Sequence, residues 1–223
     1  VISCRHETET NQVLWYNQPA SDWNDALPIG NGHLGAMVFG QIDNEVLQLN
    51  DNTLYSGEPE TALKELDIRP TYDQVVSMLR KEEYTEATDF LLKNWLGKLH
   101  QNYQPLGEWH IRNNGKGAIS EYKRELDLEE SVMRISYKQD GKTFLREIFA
   151  SHPDDIIVMR LSCDQKDGLD ITTSLSSPHP TAIQKIIAGD MIAMSGQAPG
   201  YVERRTLEQI EKWGFQKYHP EIF

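Results

Sequence analysis

The side chains able to do chemistry in this 223-residue sequence are mainly carboxylates and histidines. Asp22, Asp25, Asp43, Glu45, Asp51 and Glu108 all fall in its first half. A pair of such groups suits acid–base hydrolysis, in which one carboxyl protonates a leaving oxygen and another group activates water. Each of the six has an equally ordinary reading as a turn residue, a cap or a solvated strand position, and spacing alone selects no pair. The histidines (His6, His33, His100, His110, His152, His179 and His219) are scattered without ligand spacing, so no metal site and no other cofactor is expected. Ser56, His33 and Asp51 can be assembled into a nucleophile, base and orienter, but the tight G-x-S-x-G turn that would present a serine is absent. Phosphate-binding G-x-x-x-x-G-K, a G-x-G-x-x-G opening a helix, and H-E-x-x-H are absent too.

Trp23 to Gly40 is where the chain is most constrained. Gly30, Gly32, Gly35 and Gly40 bracket the short apolar run Ala36–Phe39. Glycine tolerates positive φ and close backbone approach, so Gly30-Asn31-Gly32 reads as a tight loop with a strand leaving it from Leu34 to Gly40. Pro28 pushes Leu27 toward extended geometry. Two readings stay open: a sharp corner between strands, or a loop aimed at something. Asn31 and His33 are its candidate functional side chains.

The elements around this corner are mostly short strands. Val13–Tyr16 is apolar, Asp43-Asn44 turns the chain, and Val46, Leu47 and Leu49 carry a return strand. From Arg69 the period becomes helical. Tyr72, Val75, Val76 and Leu79 form one stripe, with Thr71 and Gln74 spaced as a capping box. Tyr84, Ala87, Leu91 and Trp95 form a second stripe that Gly97 would stop. The aromatic residues of both helices read as packing residues. Beyond Gly107 the pattern is β again. Met133, Ile135 and Tyr137 alternate with polar neighbours, Asp140-Gly141 makes a hairpin turn, and Thr143–Ser151 is its partner. Ile156–Leu161 reads as a strand buried on both faces, closed by Cys163 as a buried thiol. Leu169, Ile171, Thr173 and Leu175 alternate, and Ala182–Met194 folds back at Gly189-Asp190. This spacing predicts a mainly β, antiparallel sandwich with a two-helix insertion at about 71–96. Leu207–Trp213 reads as a short tail helix.

Net charge is −12, from 22 basic and 34 acidic residues. That balance disfavours nucleic acid, whose phosphates call for a basic footprint, and also anionic lipid surfaces. No apolar run of about 18 residues is present to span a membrane. Val1-Ile2-Ser3-Cys4 has the shape of the end of a bacterial lipoprotein signal, with polar Arg5–Gln12 as a tether. On that reading Cys4 carries a lipid anchor; an exposed cysteine after a small residue is the plainer alternative.

Several blocks taken together resemble glycoside hydrolase family 95. They are Leu14-Trp15-Tyr16, Ala26-Leu27-Pro28-Ile29-Gly30-Asn31-Gly32, Leu34–Gly40, Gln48-Leu49-Asn50, Tyr103-Gln104-Pro105-Leu106-Gly107, Tyr122–Leu128, Arg146–Pro153 and Ser174–His179. They run in order from about Leu14 to Tyr201. The resemblance implies an inverting α-L-fucosidase acting on terminal α-1,2-linked fucose, or an α-L-galactosidase, working without a cofactor. It implies an N-terminal β-super-sandwich followed by a helical linker, an (α/α)6 barrel holding the catalytic groups, and a further β domain. Residues 1–12 are then a signal remnant and tether, 13–200 the N-terminal sandwich lacking its last strands, and 201–223 a segment before the barrel. No family catalytic residue maps onto this chain, and its oligosaccharide partner is met through the barrel. His33 stands where relatives carry arginine, Tyr55 where tryptophan is usual, and Trp109 where an aliphatic residue is common. Asn31 and His33 become candidates for a substrate or domain-interface loop.

Two other readings remain. A stand-alone carbohydrate-binding sandwich would show an exposed aromatic platform, for which Trp15, Trp23 and Trp109 are available. A defunct remnant would show neither platform nor activity. On the first reading the isolated chain is inactive and poorly soluble, because unpaired sheet edges and exposed apolar area favour aggregation.

Overall fold

Strands form wherever apolar residues alternate with polar ones. In the computed structural model, which describes residues 12–56, 67–95, 102–166, 168–198 and 208, they build three antiparallel sheets. In chain order they are β1 (Val13–Tyr16), β2 (Leu27–Gly30), β3 (Leu34–Val38), β4 (Asn44–Asp51), β5 (Gly107–Asn113) and β6 (Ile119–Asp127). They continue with β7 (Val132–Gln139), β8 (Lys142–Ser151), β9 (Ile156–Cys163), β10 (Ile171–Ser176), β11 (Ile183–Ala188) and β12 (Met191–Ser195). One five-stranded sheet has the order β1-β6-β7-β8-β9 and the other β10-β5-β4-β3-β2, while β11 and β12 pair by themselves. The mainly β, sandwich-with-insertion expectation holds.

The two large sheets share one core. Leu27, Ile29, Ala36, Val38, Leu47 and Ile111 come from one sheet, and Leu126, Met133, Ile135, Tyr137, Phe144 and Ile148 from the other. Their alternation along β7 and β8 is the period-two signature predicted from sequence, and it fixes register, since a slip of one residue would turn every core side chain outward. Asp140 and Gly141 adopt φ of +50° and +71°, the positive pair that a type I′ hairpin turn demands. Pro28 is accommodated because β2 is an edge strand.

Charged residues also occupy inward positions. Glu45 and Arg146 are buried within the sandwich, and Arg146 Nη1 donates to Glu45 Oε2 at 2.9 Å. The same guanidinium donates to the carbonyls of Gln41 (2.5 Å) and Ile42 (2.9 Å), while Glu45 Oε1 accepts the Gly40 amide at 2.8 Å. Burial pushes the Glu45 carboxyl upward, and Arg146 with the Gly40 and Val46 amides pulls it back. Arg124, also buried, donates to the carbonyls of Gln18 (2.8 Å) and Asp25 (2.7 Å) and lies over the Tyr16 ring at 4.2 Å. Burial, with the nearby Glu45 charge adding to it, raises Tyr122 above its ordinary value; its hydroxyl donates to Gly40 O at 2.8 Å.

The chain between β4 and β5 leaves and re-enters at one neck, where Gln104 N donates to Leu54 O at 2.9 Å and Tyr55 bridges Tyr103. Residues 55–103 belong to a second unit, described by itself, that carries α1 (Arg69–Arg80) and α2 (Tyr84–Asn94). Val75 and Ala87 are its buried contacts. Tyr72 stacks on Trp95 with centroids 6.4 Å apart, in keeping with a packing role. The predicted capping box does not form. α1 starts two residues early, with Pro70 in its first turn and no side-chain cap. Thr71 Oγ1 instead donates to Ile68 O and accepts the Trp95 indole N–H at 2.8 Å.

Two further expectations are corrected. Ile156–Leu161 is not doubly buried: β9 is an edge strand, half-buried along most of its length. Cys163, at its end, is a half-buried free thiol rather than a core residue. The Cys4 anchor, the Gly97 stop and residues 1–11 of the tether lie outside the described residues. So does the tail segment 201–223, apart from Glu208, which is helical.

Removing one partner of a buried ion pair strands the other charge. Arg146→Ala is therefore expected to cost about 3–5 kcal/mol in denaturant unfolding. Gly40 has φ of +76°, and a Cβ there would lie 2.9 Å from Arg124 Cδ and press on the Tyr122 hydroxyl. Gly40→Ala is expected to lose about 1–3 kcal/mol by the same measurement.

Candidate functional site

The glycine corner is the hairpin loop between β2 and β3, so the corner reading of this stretch is realised. Gly32, at φ +94°, makes the turn. Asn31 organises it with all of its polar atoms. Its side-chain carbonyl accepts the amides of His33 (2.9 Å) and Leu34 (2.7 Å). Its Nδ2 donates outward to Ser151 O (2.8 Å) and Asp155 Oδ1 (3.1 Å), on the turn between β8 and β9. From that turn His152 Nδ1 donates back to Asn31 O at 3.1 Å. The corner of one sheet is thus fastened to a turn of the other.

His33 completes the fastening. Nδ1 donates to Asp155 Oδ2 at 2.8 Å, and Nε2 faces Asp51 Oδ1, at the end of β4, at 3.4 Å. The hydrogen bond to Asp155 raises the His33 pKa, with the charges of Asp155 and Asp51 acting the same way against partial desolvation. Asp155 is lowered chiefly by His33 and then by Asn31. Asp51 is lowered first by the hydroxyl and amide of Thr53, at 2.6 and 2.8 Å, and only secondarily by His33.

Sequence reasoning named Asn31, His33 and Asp51 but missed Asp155 and His152. Their signal was present in Ser151-His152-Pro153-Asp154-Asp155, a polar turn between two long apolar strands, with Asp155 at positive φ (+52°). The third member of the assembled hydrolytic set is otherwise engaged: Ser56 Oγ donates to Asn102 O at 3.2 Å and accepts Asn102 N at 3.1 Å. Four of the remaining carboxylates have structural partners, and Glu45 among them is buried rather than a turn, cap or solvated strand residue. Asp22 caps a 3-10 turn at Trp23–Asp25, Asp25 accepts from Ser21, and Glu45 is locked to Arg146. Glu108 accepts from Gln48 Nε2 at 3.1 Å and pairs with His110, whose Nε2 also meets Ser176 Oγ at 2.9 Å. Among the described residues no group of three or more His, Cys, Asp or Glu side chains is disposed to hold a metal ion. The geometry is that of a clamp; every named side chain of the corner is spent on another.

The aromatic residues divide. Trp109 is half-buried, and its indole donates to Thr173 Oγ1 at 2.7 Å. Trp15 and Trp23 are 62% and 57% exposed, so neither is packed into the core.

A family model described as "Glycosyl hydrolase family 65, N-terminal domain" matches residues 14–217. The chain belongs to that family. It is 32% identical over 167 residues to "Alpha-L-fucosidase 2" of Arabidopsis thaliana, a match covering 74% of this chain and 20% of the relative. It is 29% identical over 201 residues to "Probable alpha-fucosidase A" of Aspergillus niger, covering 82% of this chain and 24% of the relative. The chain thus spans about a fifth to a quarter of the length of these relatives. It is an N-terminal domain of the glycoside hydrolase type, related to proteins named α-fucosidases.

Asn31→Ala removes two acceptor and two donor contacts at once. The loss expected is about 1–3 kcal/mol in thermal or denaturant unfolding, because the His33 and Leu34 amides are left without their partner.

Proposed function

We propose that this chain is the N-terminal, non-catalytic β-domain of a longer family 95 glycoside hydrolase. That enzyme removes terminal α-L-fucosyl residues, typically α-1,2-linked to galactose, or α-L-galactosyl residues, with inversion. The observation that carries the reading is kinship, along most of the chain, with proteins named α-fucosidases. Engagement of five of the six candidate carboxylates (Asp22, Asp25, Glu45, Asp51 and Glu108) in caps, turns and ion pairs agrees with catalytic groups supplied from elsewhere. The oligosaccharide would be bound by that other part, and hydrolysis by paired carboxyl groups needs no cofactor. The corner carrying Asn31 and His33 is the surface offered to it.

We propose lipidation at Cys4, which places the enzyme in the periplasm or at the outer membrane of a bacterium. Mass spectrometry of the mature N-terminus would show a diacylglyceryl group on Cys4; a free thiol there sinks the idea.

A second reading is favoured by one observation, the exposure of Trp15 and Trp23. Flat exposed indoles suit the apolar face of a sugar, as in a carbohydrate-binding module that acts alone. One experiment separates the two. The reading frame is followed beyond Phe223 and the complete product is incubated with 2′-fucosyllactose, beside the 223-residue chain. Fucose released by the complete protein, and none by the chain, is the expected result. Release by the chain alone would overturn the non-catalytic assignment. A frame that stops at Phe223, with sugar binding lost in Trp15→Ala, would establish the module. In the complete enzyme, alanine at both Asn31 and His33 is expected to lower turnover or melting temperature; no change in either would remove the corner from the proposal.

A further inference from the structure

His33 stands between two acids from different elements, Asp51 at the end of β4 and Asp155 on the turn after β8. A neutral imidazole has one N–H, so it serves one carboxylate and turns a lone pair toward the other. Only the doubly protonated ring satisfies both. We propose that His33 is a proton-operated latch: as imidazolium it holds the β2–β3 corner onto the β8–β9 turn, and on losing a proton it lets the corner lift.

The groups around the ring support this. Among the described residues Asp155 forms an ion pair with His33 alone. Asp154, on the same turn, is engaged by the Ser151 hydroxyl at 2.6 Å. His152 gives its Nδ1 proton to the Asn31 carbonyl rather than to either acid. Asp51 is fixed by Thr53 and remains in place when the ring loses its proton. Asp51 pairs with Leu34 in the corner's own sheet, so the bond that crosses to the turn is the one to Asp155. Deprotonation strips that bond of its charge assistance and leaves Asp51 facing a lone pair. The Asn31 side-chain bonds to Ser151 O and to the His33 and Leu34 amides involve no ionisable group, so they form the permanent part of the tie and His33 the switchable part.

The sign follows from the directions of the shifts. His33 is raised, so its contribution is complete below the ordinary histidine range and is lost as pH rises through its own higher value. Asp51 and Asp155 are lowered, so theirs is lost only in strong acid. The latch is closed in the window between and opens on the alkaline side.

Hydrogen exchange read by mass spectrometry tests this on the complete protein, without substrate and so separately from any hydrolase activity. Exchange at the imidazole carbon between the ring nitrogens gives the titration of His33. Amide exchange of peptides covering 27–40 and 150–156, corrected for intrinsic rate, reports corner opening. The expected result is titration above the ordinary histidine value, with protection of both peptides falling about two- to fivefold through it, the range of an exposed ion pair. Peptides from β7 should not change. Asp155→Asn should return His33 toward its ordinary value, and His33→Arg should keep the corner closed throughout. Titration at or below the ordinary value overturns the latch, as does an unchanged pH response in His33→Gln.

Discussion

A charge inside a sandwich is tolerated only where its partner is already waiting, and Glu45 with Arg146 imposes that condition here. Arg146 projects from an interior strand of one sheet, and Glu45, Gln41 O and Ile42 O, which accept from it at 2.9 Å or less, come from the other sheet or its connecting turn. Taken out of water, a guanidinium costs several kcal/mol unless each N–H finds an acceptor. Only one relative placement of the two sheets provides that set. Apolar residues such as Met133 and Ile148 supply the driving force for closure, but they would accept small shifts that this polar cluster does not. Gly40, Tyr122 and Arg124 extend the same constraint toward β1, each fitted to the next.

The two outer faces differ in kind. On the β6–β9 side Arg134 meets Glu130, Asp127 and Glu147, Arg160 also meets Glu147, and Lys138 meets Glu121. That is a solvated ladder of charges, each pair worth little by itself. The β5–β4 side carries the Gln48–Glu108–His110–Ser176 chain beside Val46 and Met37. One domain therefore carries a ladder of ion pairs on one outer face and, on the other, a sparser polar chain with Glu108 and the exposed Arg112 as its charges.

Much of this was legible in the sequence where local and global preferences agree. Asp140-Gly141 turns as its dipeptide demands, and the alternation of Met133, Ile135 and Tyr137 sets both strand and face. The polar core was not read. Glu45 shares parity with Leu47, and Arg146 with Phe144 and Ile148, and both charges are buried. Yet a charge at a core parity is normally assigned to solvent, so Glu45 reads as a turn, cap or solvated strand position. What escaped depends on neighbours distant in the chain. Ile156–Leu161 reads as buried because runs of aliphatics usually are; only its place at the edge of the sheet leaves it half open. Thr71 has the type and spacing of a cap, yet Trp95 claims its hydroxyl from 24 residues away. Asn31 and His33 were visible as a constrained loop, but their partners lie about 120 residues on. No local pattern announces such a pairing.

The narrow neck at Leu54 and Gln104 has a further meaning. β4 and β5 are hydrogen-bonded neighbours, so the sheet is closed without reference to what the chain does between them. To the sandwich, that excursion is a loop whose ends are pinned, and the entropy of closing a loop grows only as the logarithm of its length. Doubling it or trimming it by half changes the cost by about 0.6 kcal/mol. Selection can therefore lengthen, shorten or rewrite the helical excursion while the ladder beneath keeps its register. A site with that freedom is where relatives of one architecture can diverge most cheaply.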